Sequence, residues 1–168
     1  MLIWAKWLGF VFLVAVLTAL TQIGGVVLIL AWLAARLAWS RGRRLVPGIA
    51  IFALVYAGAS LWIVPPLAEL GGRQALPCGL GPEAPVRPHG FIYCALNRHY
   101  ASPLVAAMLD DLAADMAQAY PGMQIVYLDA NFPFLDGFPL PPHLSHDDGF
   151  KIDLPCTTRT KWVGRPLF

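Results

Sequence analysis

Residues 141–154 read PPHLSHDDGFKIDL, and two histidines, a serine, a glycine and an aspartate stand there in a chain that is otherwise mostly apolar. His146 and Asp153 carry metal-binding chemistry. Neutral imidazole and carboxylate are both good zinc ligands, and a catalytic zinc site keeps three protein ligands and one open position. Their separation of seven residues is too long for neighbouring turns of one helix. It suits a ligand on a loop followed by a ligand on a strand. Gly149 would supply the tight turn between them, because it accepts backbone angles that other residues avoid. The FKIDL that follows reads as a strand, with Ile152 and Leu154 on one face and Lys151 and Asp153 on the other. Asp153 then points away from the core and into a site. His143, three residues before His146, falls in the same cleft, where it would orient substrate or a ligand's partner.

The elements that must position this motif lie just upstream. ASPLVAAMLDDLAADMAQAYPG, residues 101–122, predicts a helix with Ser102 as N-cap and Pro103 at its first position. Leu104, Met108, Leu109, Leu112 and Met116 fall on one face, and Asp110, Asp111 and Asp115 on a solvated one. MQIVYLD predicts a buried strand, and ANFPFLDGFPLPP a Pro- and aromatic-rich loop leading into the histidines. Helix, strand, long loop and second strand describe a small α+β domain over residues 89–168. Before it, residues 67–88 are rich in Gly and Pro with no apolar period and read as a linker. Of the three cysteines, Cys78, Cys94 and Cys156, the preferred disulfide is Cys78–Cys94, which would pin the linker to the domain. Free buried thiols are the alternative, since pairing does not follow from sequence. Two further histidines stand upstream; His99 reads as a surface or capping residue, and Arg98 beside it as a surface arginine or a binder of peptide carboxylates.

The rest of the chain is of another kind. Of 168 residues, 58% are hydrophobic and 13% charged, against about 25% charged in a soluble domain. Residues 1–66 hold Lys6, Arg36, Arg41, Arg43 and Arg44 and no acidic residue, and all ten acidic residues lie from Glu69 onward. The net charge of +2 therefore averages two unlike halves. The basic residues flank apolar runs, which points to a lipid bilayer and away from nucleic acid. The run over 7–39 exceeds the roughly 20 residues that cross a bilayer. It can be one tilted helix or two pieces broken at Gly24–Gly25. Because each piece would fall short of a span, one helix over about 7–36 is expected, with Thr21 and Gln22 near mid-membrane. A second helix is expected over 45–64, ended by Pro65–Pro66. The basic loop between them should stay in the cytoplasm. That places the N-terminus and everything after the second helix outside, in the periplasm of a bacterium. The fold class expected is thus two transmembrane helices followed by a small, partial α+β domain.

HLSHDDGFKID resembles the first half of the zinc site of the penicillin-insensitive murein endopeptidases, which group with the D-Ala-D-Ala metallopeptidases of the Hedgehog-like fold. The resemblance implies His146 and Asp153 as the first two zinc ligands, His143 as an additional active-site histidine, and Ser145 and Gly149 as structural residues of the motif. It also implies zinc as cofactor, peptidoglycan peptides as partners, and hydrolysis of amide bonds next to D-alanine by a zinc-activated water. The family's third ligand comes from an H-x-H or similar motif well downstream. Here fifteen residues follow Asp153, none of them His or Glu. The motif therefore reads as half a site, without a third ligand or a general base. The chain is expected to be a fragment or frameshifted version of a longer enzyme, inactive as it stands. The alternatives are a degenerate relative that binds without cleaving, or a small membrane protein with an interaction domain and a coincidental motif.

Overall fold

The computed structural model describes residues 2–81 and 84–155; Cys156 and the tail after it lie outside the described residues. An antiparallel hairpin of α1 (Leu2–Thr21) and α2 (Gly24–Ala38) opens the fold, in place of the single long helix that the length of the apolar run suggests. The break has a local cause. Gln22 takes a left-handed φ of 64°, and its N–H donates to the Thr18 carbonyl at 2.8 Å, ending α1 as left-handed C-caps do. Thr21 Oγ1 then accepts the Gly24 N–H at 2.8 Å, capping the first turn of α2. Gly24 and Gly25 let the arms touch. A Cβ on Gly24 would stand 3.1 Å from Leu17 Cβ, and one on Gly25 would stand 2.7 Å from the Val14 carbonyl oxygen. At the far end Trp7 and Phe10 of α1 meet Trp32 of α2, with ring centroids 5.7 and 5.3 Å apart.

The hairpin changes two expectations. The start of α1 comes to the same end as the basic loop at Arg41–Arg44, where a single helix would have put it across from that loop. Thr21 and Gln22 sit at the hairpin tip, buried, and not halfway along a span.

After the loop, α3 (Leu45–Gly58) runs into a π-helical turn at Ala59–Ile63 and on through α4 (Val64–Leu70). Pro65 and Pro66 do not end this helix as expected. The Val64 N–H reaches back to the Ala59 carbonyl, so the widened turn shifts the hydrogen-bond register just where two imino nitrogens would have left it unmade. Trp4–Thr21 and Leu45–Leu70 are long and apolar enough to cross a membrane by length and composition, and α2 is a shorter apolar helix.

The outer region is a small assembly of helix and strand. β1 (Gln74–Ala75) pairs antiparallel with β3 (Tyr100–Ala101), and β2 (Val86–Pro88) pairs parallel with β4 (Ile125–Tyr127). Between these come the short α5 (Ile92–Ala95) and the long α6 (Pro103–Ala119). Residues 67–88 are therefore no linker: Leu76 and Val86 belong to the main core with Leu109, Ile125 and Tyr127. A disulfide joins Cys78 to Cys94.

α6 starts at Ser102, whose Oγ accepts the Val105 N–H at 3.3 Å. Its buried face, however, is Ala106, Leu109 and Ala113, while Leu104, Met108 and Leu112 are exposed. Residues 150–154 form no regular strand. They run extended beside the end of β4, with Leu128 N–H donating to the Asp153 carbonyl at 2.8 Å and Asp153 N–H to the Asp129 carbonyl at 2.7 Å.

Apolar and polar contacts join the two regions. Val64, Ala68 and Tyr100 form a second buried cluster, with Ile23 and Phe134 against it. Tyr56 donates to the Ala95 carbonyl at 2.7 Å, Asn97 donates to Ser60 Oγ at 3.1 Å, and the Phe134 N–H donates to Gln22 Oε1 at 3.0 Å.

Candidate metal centre

Asp153 is placed by its backbone. Its N–H and carbonyl both bond to the chain just after β4, which fixes the half-buried carboxylate between two imidazoles. His146 Nε2 lies 3.1 Å from Oδ1, and His143 Nδ1 lies 3.0 Å from Oδ2. One donor atom from each of the three residues lies within 4.8 Å of the others, so the group can hold a metal ion.

The tautomer of His146 follows from its other nitrogen. Nδ1 is 2.8 Å from the Ala130 carbonyl oxygen. A carbonyl only accepts, so Nδ1 carries a proton and Nε2 is the nitrogen turned toward the carboxylate. This is the usual second contact of a metal-binding histidine. Asp153 Oδ2 is buried and accepts no hydrogen bond of good geometry among the described residues, although His143 Nδ1 is close. A lone pair facing a carboxylate is unfavourable unless a cation or proton lies between them. The two histidines also differ in access: His146 is buried and His143 exposed, so the cluster opens to solvent on the His143 side.

The loop that carries the histidines is held at several points. Gly149 has φ +81°, and a Cβ there would overlap the Arg73 guanidinium, so both conformation and space require glycine. Its N–H donates to Asn131 Oδ1 at 3.1 Å, and Asn131 Nδ2 donates to the Lys151 carbonyl at 2.9 Å. Arg73 pairs with Asp136. Lys151 Nζ donates to the Ser145 carbonyl at 2.6 Å.

Arg98 is buried, contrary to its reading as a surface arginine. It meets Asp129 at 2.7 Å and donates to the Pro141 carbonyl at 2.8 Å, tying the start of the histidine loop to the chain after β4. Burial pushes the Asp129 carboxyl above its ordinary range, and the adjacent Arg98 pulls against that shift. His99 is likewise buried and not on the surface.

Of the residues singled out in the sequence, His143, His146 and Asp153 come together, and Gly149 makes the turn between them. Ser145 contributes its backbone carbonyl from an exposed position. The structure places His143 with the two expected ligands, so the cluster has three donors where the motif alone supplies two. Sequence reasoning missed Ala130, Asn131 and the Arg98–Asp129 pair. The only trace of them is the polar DAN, residues 129–131, directly after an apolar strand. No family model matches this chain, and no curated protein or solved structure matches it. The likeness to the murein endopeptidases therefore rests on the motif residues alone.

Proposed function

We propose that this is a membrane-anchored protein whose outer domain binds zinc through His143, His146 and Asp153 and is related to the zinc-dependent peptidoglycan peptidases. The observation that carries this reading is the Asp153 carboxylate, flanked by two imidazole nitrogens and left with a buried oxygen that accepts no hydrogen bond among the described residues. Two imidazoles and one carboxylate, with an open side, match the donor set of zinc sites that keep a position for substrate. Zinc bound there would supply Lewis acidity toward a carbonyl oxygen.

The chain's own residues do the positioning. Ala130 fixes the His146 ring, the backbone around Asp129 fixes Asp153, and Arg98 fixes the loop through Pro141. The direction of insertion is supported by charge. Lys6, Arg36 and the loop arginines gather at the end of the helical region away from the outer domain, which favours a cytoplasmic loop and a periplasmic domain. The N-terminus then faces the cytoplasm.

A second reading, zinc-dependent binding of peptidoglycan peptides without cleavage, is favoured by the state of Asp129. Its carboxyl is close enough to feel both histidines, but it is engaged in the buried ion pair with Arg98 that anchors the histidine loop through Pro141, a positioning role.

The test is zinc content of the full chain in detergent by plasma mass spectrometry, followed by incubation with cross-linked muropeptides. A single zinc per chain that is lost in Asp153→Ala is expected, with muropeptides retained and uncut. No zinc at saturating supply would end the metal reading. Cleavage that depends on Asp153 would replace the binding reading with the hydrolytic one.

A further inference from the structure

We propose that Cys78, Cys94 and His99 form a second metal site, closed while the two cysteines are joined and available to zinc once a dithiol reductant has parted them. The inference is independent of the zinc reading of His143, His146 and Asp153.

One ring nitrogen of His99 already lies within 4.8 Å of both sulfurs. Bonds of about 2.3 Å to sulfur and about 2.0 Å to nitrogen put the ligands of one tetrahedral zinc about 3.5–4 Å apart, so the imidazole stands near its place. The sulfurs must part to about that spacing. Each swings about its own Cα–Cβ bond, and Cα atoms 6.1 Å apart leave room for this. His99 is the member that points to a ligand. It is 7% exposed, and its Nδ1 is buried with no hydrogen-bond partner among the described residues. Buried polar atoms are normally partnered, so the ring keeps coordinating capacity that the fold does not use.

The three residues are held by bonds that do not run through the disulfide. The Leu76 N–H donates to the His99 carbonyl at 2.7 Å, continuing the β1–β3 pairing toward Cys78. Tyr127 on β4 donates to the Pro77 carbonyl at 2.8 Å. On the other side, the Asn97 N–H donates to the Cys94 carbonyl at 3.0 Å and the Arg98 N–H to the Tyr93 carbonyl at 2.8 Å. Asn97, at a left-handed φ of 55°, completes the turn that carries the chain from Cys94 to His99. Parting the sulfurs leaves this frame in place.

The chemistry is balanced. The dithiol is oxidised to its own disulfide, while Cys78 and Cys94 each gain an electron and a proton. Zinc then displaces both thiol protons. Two thiolates and one divalent zinc are neutral together, whereas two bare thiolates beside a buried ring would be costly. Cys78 is half-buried and the other two residues are buried, so reductant and metal enter on the Cys78 side.

The probe is cobalt(II), which gives a sulfur-to-metal charge-transfer band only with thiolate bound. The full chain in detergent carries Cys156→Ser, which removes the third thiol, and Asp153→Ala, which removes the other candidate centre. A phosphine performs the reduction, taking oxygen from water and adding no competing thiolate. The oxidised chain should show no band. The reduced chain should show a band that saturates at one cobalt per chain and disappears when zinc is added. His99→Gln should weaken cobalt at least about tenfold, a loss that even an outer partner can cause. X-ray absorption of the reduced, zinc-loaded chain should show two sulfurs at about 2.3 Å and one imidazole at about 2.0 Å. A reduced chain with both thiols free by titration and no band would overturn the proposal, folded or not, because the frame is meant to hold without the disulfide. So would zinc bound without an imidazole, or a band in the oxidised chain. Restoring Asp153 separates the two readings. An oxidised chain that then takes up no zinc removes the first centre and leaves this one standing.

Discussion

Among the described residues, two places in the outer domain bring three potential metal ligands within 4.8 Å: Cys78, Cys94 and His99 in one, and His143, His146 and Asp153 in the other. Residue types alone would rank the first as the stronger site, since thiolate is an excellent zinc ligand. The structure reverses that order. The two sulfurs of the first group are bonded to each other, so neither is a thiolate. His99 is 7% exposed, with Nδ1 unpartnered and its ring against Tyr100. The second group has no covalent partner, keeps one histidine at the surface, and aims both rings at one carboxylate. The difference teaches that ligand chemistry counts only where the donor atoms are free and the group is open on one side.

The comparison can be broken by experiment, and the largest effect belongs to the second group. Asp153→Ala or His146→Ala should lower zinc affinity beyond the roughly 10–100-fold that loss of an outer partner costs, read by competition with a chelating dye. The double change Cys78→Ser/Cys94→Ser should leave zinc content unchanged. Zinc lost with the cysteines instead would reverse the assignment of the two groups.

The cysteine change should still be costly to the fold. The disulfide closes a separation of 16 residues, for which about 3 kcal/mol of stability is expected, measured as a lower denaturation midpoint in matched detergent.

His99 provides a pH signature of comparable size. Burial pushes its pKa down to about 4, and a backbone contact with Tyr93 pulls weakly the other way. An unfolded histidine titrates near 6.5, so between those values the unfolded chain binds the proton that the folded chain refuses. Stability from this residue is complete above about pH 6.5 and is lost as pH falls to about 4, on the order of 3 kcal/mol in all. His99→Gln should flatten that part of the stability–pH curve. An unchanged curve would show that His99 is not the group responsible.

A smaller effect sharpens the account of the second group. Gly149→Ala forces a side chain into a left-handed position against Arg73 and should cost about 1–3 kcal/mol. It should also weaken zinc binding, because the turn sets the spacing of His146 and Asp153. Full zinc affinity in a destabilised Gly149→Ala protein would separate the turn from the site.

Much of this site was legible in local spacing. His146, Gly149 and Asp153 are read from a few residues, because a positive-φ glycine between a loop and an extended segment has a short-range signature. The role of His143 was not, because its reach to Asp153 depends on how the Pro-rich loop docks through Arg98 and Asp129. The first group misleads for a related reason. Whether a cysteine offers a thiolate depends on its partner, and pairing is a property of the folded chain.

The same division holds for the whole protein. The sequence by itself determined two long apolar runs, the basic loop between them, the cap and length of α6, and the turn at Gly149. Each follows from hydropathy, charge or backbone preference over a few consecutive residues. Only the tertiary structure decided that the first apolar run folds back on itself at Gln22, that Pro65 and Pro66 continue a helix behind a π-helical turn, and that Leu76 and Val86 belong to the core. It also decided that Gln22 bonds to Phe134 across 112 positions and that two imidazoles face one carboxylate. These depend on which distant groups come to share one low-dielectric space, where each buried donor and acceptor must find a partner or pay for its absence. Chain-local preferences do not encode those pairings.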